Sequence, residues 1–221
     1  MKNGPFAAAG NPGLSERTNE RVFAHRWQML RGVLARNAGA GGRRLLEAGC
    51  GNGRMTRRLL EMGFDVTAFD FSGEALRAAR AYVGSDACRW IKASVAAFDS
   101  RQAFDVVLCA GILVAIPDED EHARSTRNMA RHVADGGCLI IEEVMVSLDD
   151  MVARKRLDPR KRMRFRAPEV YRDLVTGGGL DLIETVTYEN AVIPQPWTIM
   201  VFRASDPAAG RPPRPESGAE S

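Results

Sequence analysis

Hydrophobic and polar residues alternate along the chain with two different periods. Between residues 16 and 36 the apolar side chains recur every three or four positions, which predicts an amphipathic helix. Shorter apolar runs follow, such as FDVVLC at residues 104–109, and an unbroken run of this length is typical of a strand that is covered on both faces. The chain is therefore predicted to alternate between helices and strands.

This pattern places seven strands and five helices. The strands are predicted at residues 45–47, 66–70, 88–93, 104–109, 138–141, 180–188 and 197–203. The helices are predicted at residues 16–36, 53–62, 73–83, 118–134 and 168–176, with Ser72 as the cap of the third. Such alternation predicts an α/β fold in which helices cover both faces of a largely parallel sheet. Sheets of this kind bind ligands beyond the carboxyl ends of their strands, so functional residues are expected just after each strand.

The composition is that of a soluble globular protein, with 45% hydrophobic and 27% charged residues in a chain of 221. We expect one domain at residues 14–203, between disordered tails at 1–13 and 204–221, because both tails have little apolar surface to bury. No apolar run reaches the ~18 residues of a membrane helix, so no membrane association is expected. Residues 1–13 lack the apolar core of a secretory signal, which predicts a cytoplasmic protein.

The four cysteines are Cys50, Cys88, Cys109 and Cys138, and no two of them form a C-x-x-C pair. Three lie in or beside strand-like runs, so buried and reduced thiols are expected. Neither the cysteines nor the three histidines have the close spacing of zinc ligands, and no metal site is predicted.

The net charge of +3 is unevenly distributed along the chain. Residues 154–166 hold eight basic residues and one acid, which leaves the rest of the chain with a net negative charge. Three interpretations of this segment stay open. It is a solvated face, a site where one or two arginines hold an anionic small molecule, or a surface that contacts RNA or DNA.

The first predicted strand runs into a loop of alternating glycines. Residues 47–53 read EAGCGNG, in which glycines at alternate positions let the backbone approach a ligand without a clash from a Cβ atom. Asp70 ends the next strand, and in a Rossmann-like unit an acid at that position reaches the ribose hydroxyls of an adenosine moiety. The alternative for Asp70 is a carboxylate that only caps the following turn or helix.

The spacing of this loop argues against a dinucleotide. The pattern G-x-G-x-x-G needs a third glycine, but Arg54 or Thr56 stands there, depending on the glycine at which the pattern begins. Glu47 would also repel a diphosphate, whereas it suits a ligand with an ammonium and a sulfonium. A nicotinamide-dependent oxidoreductase remains an alternative that this spacing disfavours.

The motifs LLEAGCGNG and VTAFDFS resemble motifs one and two of the class I S-adenosylmethionine-dependent methyltransferases. The resemblance continues through FDVVLCAGILVAIPD, the DGG turn with its LIIEEV strand, the RAPEVYRDLVTGGGLDLIE helix–strand pair and the final TIMVFRA strand. It implies a Rossmann-like, doubly wound sheet of seven strands, mostly parallel with the last strand antiparallel. It also implies S-adenosylmethionine as the methyl donor and S-adenosylhomocysteine as the product.

The same resemblance implies roles for individual residues in binding the donor. Glu47 is expected to support the loop and the ammonium end of the ligand, and Asp70 to bind the ribose hydroxyls. Phe71 is expected to pack on the adenine, with a place in the hydrophobic core as its alternative. The other residues implied to contact the donor are Gly49, Cys50, Gly51, Gly53, Ser94, Val95, Ala96, Cys109, Ala110 and Gly111.

We predict a small-molecule acceptor, because the chain has little beyond the core domain for recognising nucleic acid. It also lacks an Asn/Asp-Pro-Pro-Tyr/Phe/Trp motif after the fourth strand, where CAGI stands at residues 109–112. The attacking atom is expected to be oxygen or nitrogen, with carbon as a third option. An RNA-modifying methyltransferase or an RNA-binding protein that uses residues 154–166 is the alternative.

Methyl transfer is an in-line displacement, in which alignment of the reactants supplies about 7–11 kcal/mol and a general base is optional. The candidates for a base are His25, Glu142, Glu143 and Tyr171. The two glutamates follow the predicted fifth strand, and we expect one to face the site and the other to be solvated or ion-paired. In relatives, the N-terminal helix often covers the pocket, and the stretch at residues 147–166 helps to form the acceptor site.

Overall fold

The computed structural model describes residues 14–38, 42–84, 86, 88–146, 163–192 and 196–204. The predicted tails, apart from residue 204, and residues 147–162 of the basic insert lie outside this part of the chain. The helices are α1 (Glu16–Asn37), α2 (Arg54–Glu61), α3 (Gly73–Val83), α4 (Glu119–Arg131) and α5 (Pro168–Thr176), with a short 3-10 helix at Leu113–Ala115. The strands are β1 (Arg44–Ala48), β2 (Asp65–Asp70), β3 (Arg89–Lys92), β4 (Phe104–Ala110), β5 (Val133–Val144), β6 (Leu180–Glu189) and β7 (Pro196–Ala204).

The strands form one sheet in the order β3-β2-β1-β4-β5-β7-β6. The pairs from β3 to β5 are parallel, whereas β7 runs antiparallel to both β5 and β6. The winding direction reverses at β1, which has β2 on one side and β4 on the other, so the crevice beyond these strands is where a ligand is expected. The predicted fold class is confirmed: an α/β, Rossmann-like sheet of seven strands, mostly parallel with the last strand antiparallel.

Helices cover both faces of the sheet because its central strands are apolar on both sides. α1, α2 and α3 pack on one face through side chains such as Leu30, Leu59 and Leu76. α4, α5 and the 3-10 helix cover the other face, where Met129 and Val175 join the core. Burying one such aliphatic side chain contributes about 1.5–3 kcal/mol. No helix in the described ranges is long and apolar enough to cross a membrane.

Side-chain caps set the starts of three helices. The hydroxyl of Ser72 accepts a hydrogen bond from the amide of Ala75, which confirms its predicted role at the start of α3. Ser15 caps α1 in the same way. Asp118 caps α4, so the helix begins one residue after the predicted position. The predicted burial of the four cysteines is also confirmed.

Strand β5 is longer than predicted, and this changes the setting of the acidic pair that follows it. Residues 135–137, predicted as a turn, lie inside β5. The pairing with β4 passes from Phe104↔Val133 directly to Val106↔Cys138, so the extra residues of β5 bulge out and the strand then resumes. The local chemistry of Asp-Gly-Gly suits a turn or a bulge equally. Glu142 and Glu143 therefore lie within the strand rather than after it.

The bulge makes a prediction for two identical substitutions. A Cβ atom at Gly137 would lie 2.8 Å from the carbonyl oxygen of Asp105, and it would also crowd two further carbonyls. Gly137→Ala should therefore lower the free energy of unfolding by about 1–3 kcal/mol. Gly32→Ala, in the interior of α1 with only ordinary contact to Arg36, should raise it by about 0.5–1 kcal/mol.

Urea denaturation of the two variants beside the unchanged chain measures both effects. Equal shifts of the same sign would contradict the bulge geometry.

Candidate active site

A cavity of about 280 Å³ opens at the carboxyl ends of β1 to β4. Its walls come from the ends of these strands, from the segments after them and from α4. The lining residues are Gly49, Phe69, Asp70, Phe71, Ala93, Ser94, Val95, Ile112, Ala115, Ile116, Pro117, Glu121 and Ser125. The cavity thus lies in the crevice that the strand order predicts.

The carboxylate of Asp70 holds two loops together at the floor of this cavity. One oxygen, Oδ2, accepts a hydrogen bond from the amide of Gly51, at 2.9 Å. The other, Oδ1, accepts from the amide of Ser72, also at 2.9 Å. The side chain is buried, and each carboxylate oxygen keeps a further lone pair for another donor. Asp70 thus caps the following turn, and it also keeps acceptor capacity at the cavity.

Gly49 lets the backbone pass close to the loop after β4. It has a φ of +69°, and a Cβ atom built on it would lie 2.6 Å from two side-chain carbons of Ile112. Its amide donates to the carbonyl of Phe69 at 2.9 Å, which ties the glycine loop to β2. Any larger residue would therefore displace Ile112 or fill the cavity at this end.

Phe71 is 69% exposed although it lines the cavity. The alternative that Phe71 belongs to the hydrophobic core is therefore wrong. Ser94 and Val95 line the same end of the cavity, whereas Ala96 is half-buried outside the lining. An exposed aromatic face beside a cavity is a surface on which a flat ring can pack.

Glu47 lies beneath the glycine loop rather than in the cavity. Its carboxyl oxygen accepts a hydrogen bond of 2.6 Å from the hydroxyl of Thr56, and both side chains are buried. Burial raises the pKa of the Glu47 carboxyl to about 8. The loop residues Cys50, Gly51 and Gly53 likewise lie outside the cavity lining.

The segment Cys109–Gly111 leads from β4 into the loop beside the cavity. Cys109 is fully buried in the core, and burial raises the pKa of its thiol, so it has no access to a ligand. Ala110 is half-buried at the end of the strand. Gly111 has a φ of +75°, and its amide donates to the carbonyl of Glu142 at 2.8 Å. Of the three, only Gly111 lies in the loop next to Ile112.

The two candidate glutamates point to opposite faces of β5, and both are fully buried. Glu142 pairs with Arg26 through two hydrogen bonds of 3.2 and 2.7 Å, and it accepts a third, of 2.6 Å, from the hydroxyl of Tyr188. It is thus ion-paired, as one of the pair was expected to be, and neither glutamate is solvated.

Glu143 supports the start of the 3-10 helix. Its Oε1 accepts from the amides of Leu113 and Val114, at 2.7 and 3.4 Å. Its Oε2 has no hydrogen-bond partner among the described residues, and burial raises the pKa of the carboxyl to about 8. Glu143 does not line the cavity.

The other two candidate bases lie away from the cavity lining. Tyr171 is fully buried in the core on the α4–α5 face, and burial raises the pKa of its phenol. His25 is half-buried on α1, with its ring edge-on to Tyr188, and its Nδ1 accepts a hydrogen bond from the amide of Ala191. None of the four candidate bases therefore has a free group in the described lining of the cavity.

Most of the basic segment lies outside the described residues, but its end at Arg164 and Arg166 is bound internally. Both side chains form ion pairs with Glu119, at 2.7 and 3.0 Å. Arg166 is buried and also donates to the carbonyl of Ile116, at 2.9 Å. These two charges hold the chain against the start of α4.

Arg26, whose guanidinium lies beside Gly111, was not among the predicted site residues. The signal was present, because Arg26 follows Phe23 by three positions and precedes Leu30 by four, which places a charge on the apolar stripe of α1. Ile112, Glu121 and Ser125 of the cavity lining were also missed, because the segment after β4 has no glycine pattern or spaced acid to mark it.

Comparison with known proteins matches residues 45–137 to a family model described as a methyltransferase domain. A curated relative, the ubiquinone biosynthesis O-methyltransferase of Nitrosospira multiformis, is 27% identical over 139 residues, which cover 55% of this chain and 58% of the relative. The glycine N-methyltransferase of Oryctolagus cuniculus is 27% identical over 195 residues, which cover 77% and 60%. The chain spans about half the length of the curated relatives it matches.

Solved structures share the fold. The N-methyltransferase NodS from Bradyrhizobium japonicum WM9, in complex with S-adenosyl-l-homocysteine, matches with a TM-score of 0.70 and 21% identity, over 91% of this chain and 95% of that one. Magnesium protoporphyrin IX methyltransferase from Synechocystis PCC 6803, with bound S-adenosylhomocysteine, matches with a TM-score of 0.71 and 18% identity, over 88% and 90%.

The buried Glu47 predicts how stability depends on pH. Its carboxyl titrates near 4.5 in the unfolded chain and near 8 in the folded one, so the folded state binds more protons between these values. The free energy of unfolding should therefore fall as pH rises from 5 to 8, by up to about 1.4 kcal/mol per pH unit from this group. Glu47→Gln keeps an acceptor for Thr56 and removes the titration.

Thermal unfolding of the unchanged chain and of Glu47→Gln across this pH range measures the difference in their stability. Glu143 contributes equally in both proteins, so its contribution cancels in that difference. The variant should gain stability relative to the unchanged chain as pH rises. Parallel pH profiles would show that Glu47 is not perturbed.

Proposed function

We propose that this chain is a class I S-adenosylmethionine-dependent methyltransferase, which transfers the methyl group of S-adenosylmethionine to a small molecule. The attacking atom is an oxygen or a nitrogen, with carbon as the third option. Relatives named as an O-methyltransferase and as an N-methyltransferase both match the chain, which supports either of the first two atoms.

The observation that carries this proposal is the meeting of Asp70 and Phe71 at one cavity. The free lone pairs of the buried carboxylate suit the two hydroxyls of a ribose. The exposed ring of Phe71 suits the face of an adenine, with Ser94 and Val95 at its edge. The cavity volume is close to the lower end of the roughly 300–1,000 Å³ that ligand pockets occupy.

The chain's own contribution is to position the reactants and to exclude water. Bound S-adenosylmethionine supplies an already activated methyl group on its sulfonium. Gly49 and Gly111 have no side chain, which leaves room at the ends of β1 and β4. The side chain of Ile112 forms an apolar wall of the cavity beside these glycines. Such positioning supplies about 7–11 kcal/mol, and none of the four candidate bases presents a free group to the cavity. We therefore assign no general base to the reaction.

The other candidate functions are less well supported. The described end of the basic segment is committed to Glu119, which weakens an RNA site there. The dinucleotide pattern that begins at Gly51 needs a glycine at position 56. Thr56 stands there instead and is buried against Glu47, so a diphosphate site has less support. We further propose that residues 14–203 act as one domain and that the enzyme works in the cytoplasm.

Titration calorimetry with S-adenosylmethionine, S-adenosylhomocysteine and NADH tests the proposed function. The unchanged chain should bind the first two with micromolar affinity and leave NADH unbound. Asp70→Asn should weaken both by at least tenfold, because hydrogen bonds to a charged group contribute about 1.5–3 kcal/mol each.

Asp65→Asn is the matched control. Asp65 is an exposed acid at the other end of the same strand, and its substitution should leave both affinities unchanged. Binding of NADH alone would overturn the proposal, and equal losses in the two variants would remove Asp70 from it.

A further inference from the structure

Two polar side chains of α4, Glu121 and Ser125, line the cavity. They are four positions apart, so they lie on the same face of the helix, one turn from each other. Asn128, a further turn along this face, donates from its side-chain amide to the carbonyls of Val95 and Phe98, at 2.7 and 2.8 Å. This face of α4 is therefore fixed against the segment after β3, which contributes Val95 to the lining.

The hydroxyl of Ser125 is buried without a partner. The side chain is fully buried, and its Oγ forms no hydrogen bond with any of the described residues. A helical serine or threonine can satisfy its hydroxyl by donating to the carbonyl four positions earlier, as Thr126 does to His122 at 2.9 Å. Ser125 lacks this bond as well. Because an unpaired buried hydroxyl is costly, a ligand that supplies its partner gains from the contact.

The carboxylate of Glu121 is the exposed member of the pair. Among the described residues it forms no ion pair, whereas Glu119, two positions earlier, is held by Arg164 and Arg166. An ionised carboxylate accepts hydrogen bonds and donates none, and a hydroxyl can also accept. The α4 wall of the cavity therefore offers two acceptors, of which one is exposed and one is buried.

These acceptors belong to the cavity in which the adenine is proposed to lie. Phe71, on which the ring stacks in that proposal, lines the same cavity, as does Val95, which Asn128 joins to α4. The edge of an adenine carries an exocyclic amino group, which has two hydrogens to donate. Two donors of the base thus match two unused acceptors of α4.

We propose that Glu121 and Ser125 bind the exocyclic amino group of the adenine, with each residue accepting one of its two hydrogens. This inference rests on the proposed function, and it assigns the choice of base to α4. A purine with a carbonyl oxygen at the same position would bring that oxygen toward the negative carboxylate of Glu121, and two acceptors repel each other. The pair therefore selects an aminopurine and rejects a 6-oxopurine.

Glu121→Gln separates this role from a purely structural one. A glutamine keeps one acceptor and adds two N–H donors, so it can pair with an amino group or with a carbonyl oxygen. The matched control is Asp120→Asn, because Asp120 is an exposed acid in the same first turn of α4 but is not in the cavity lining. Both variants remove one negative charge from the start of the helix, so effects on the helix dipole are alike.

The experiment titrates the full-length proteins with S-adenosylhomocysteine and with S-inosylhomocysteine, in which a carbonyl oxygen replaces the amino group. The unchanged chain should bind S-adenosylhomocysteine about tenfold more tightly, or better. Glu121→Gln should weaken S-adenosylhomocysteine and tighten S-inosylhomocysteine, each by roughly threefold, because a neutral acceptor is weaker than a charged one and the new amide can donate. The ratio of the two dissociation constants should thus change by about tenfold, and Asp120→Asn should leave it unchanged.

Ser125→Ala tests the buried acceptor. Loss of the hydroxyl should weaken S-adenosylhomocysteine by roughly three- to tenfold. It should not lower the unfolding temperature of the ligand-free protein, because the hydroxyl has no partner there to lose. A hydroxyl with only a structural role would show the opposite pattern, with a lower unfolding temperature and an unchanged affinity.

The negative outcomes are distinguishable. If S-adenosylhomocysteine binds but Glu121→Gln leaves the ratio unchanged, or Asp120→Asn changes it equally, the role of Glu121 is overturned and the proposed function stands. An unchanged affinity in Ser125→Ala would likewise overturn the role of Ser125 alone. Failure of the unchanged chain to bind S-adenosylhomocysteine would overturn the proposed function and, with it, this inference.

Discussion

The two hydrogen bonds that Asp70 accepts are the constraint on which the candidate site depends. They join the glycine loop after β1, through Gly51, to the start of α3, through Ser72. Because β1 and β2 are parallel neighbours, these two loops emerge at the same edge of the sheet, and one buried carboxylate can bridge them. The bridge defines the floor of the cavity and leaves acceptor capacity facing it.

The acidic pair in β5 fixes the other side of the site. Successive residues of a strand point to opposite faces, so Glu142 reaches α1 through Arg26, and Glu143 reaches the 3-10 helix through Leu113. These two neighbouring residues of β5 thus position both α1, which lies over the end of β4, and the loop that lines the cavity. Breaking the Arg26–Glu142 pair would leave a buried charge without its partner, which is costly.

Much of the fold could be predicted from the sequence, because the signals are local. The alternation of helix and strand periods gave the order of the elements, and Ser72 marked a helix start. The cavity lining was predictable as far as Gly49, Asp70, Phe71, Ser94 and Val95, since the motifs that carry the family resemblance place them after adjacent parallel strands.

Two features could not be predicted, because they depend on distant partners. The Asp-Gly-Gly stretch continues as a strand only because β4 pairs beyond it. The burial of Glu142 depends on Arg26, which is 116 residues away in the sequence. The length of β5, and with it the setting of both glutamates, follows from tertiary pairing and not from local preference.

Asp70 and Phe71, which the local motif brings to the cavity, are proposed to hold an adenosine together. The most direct measurement is a crystal structure of the chain with S-adenosylhomocysteine. We predict ribose hydroxyls within hydrogen-bonding distance of the Asp70 carboxylate and the adenine stacked on Phe71. A ligand bound elsewhere, with Asp70 contacting only Gly51 and Ser72, would contradict it.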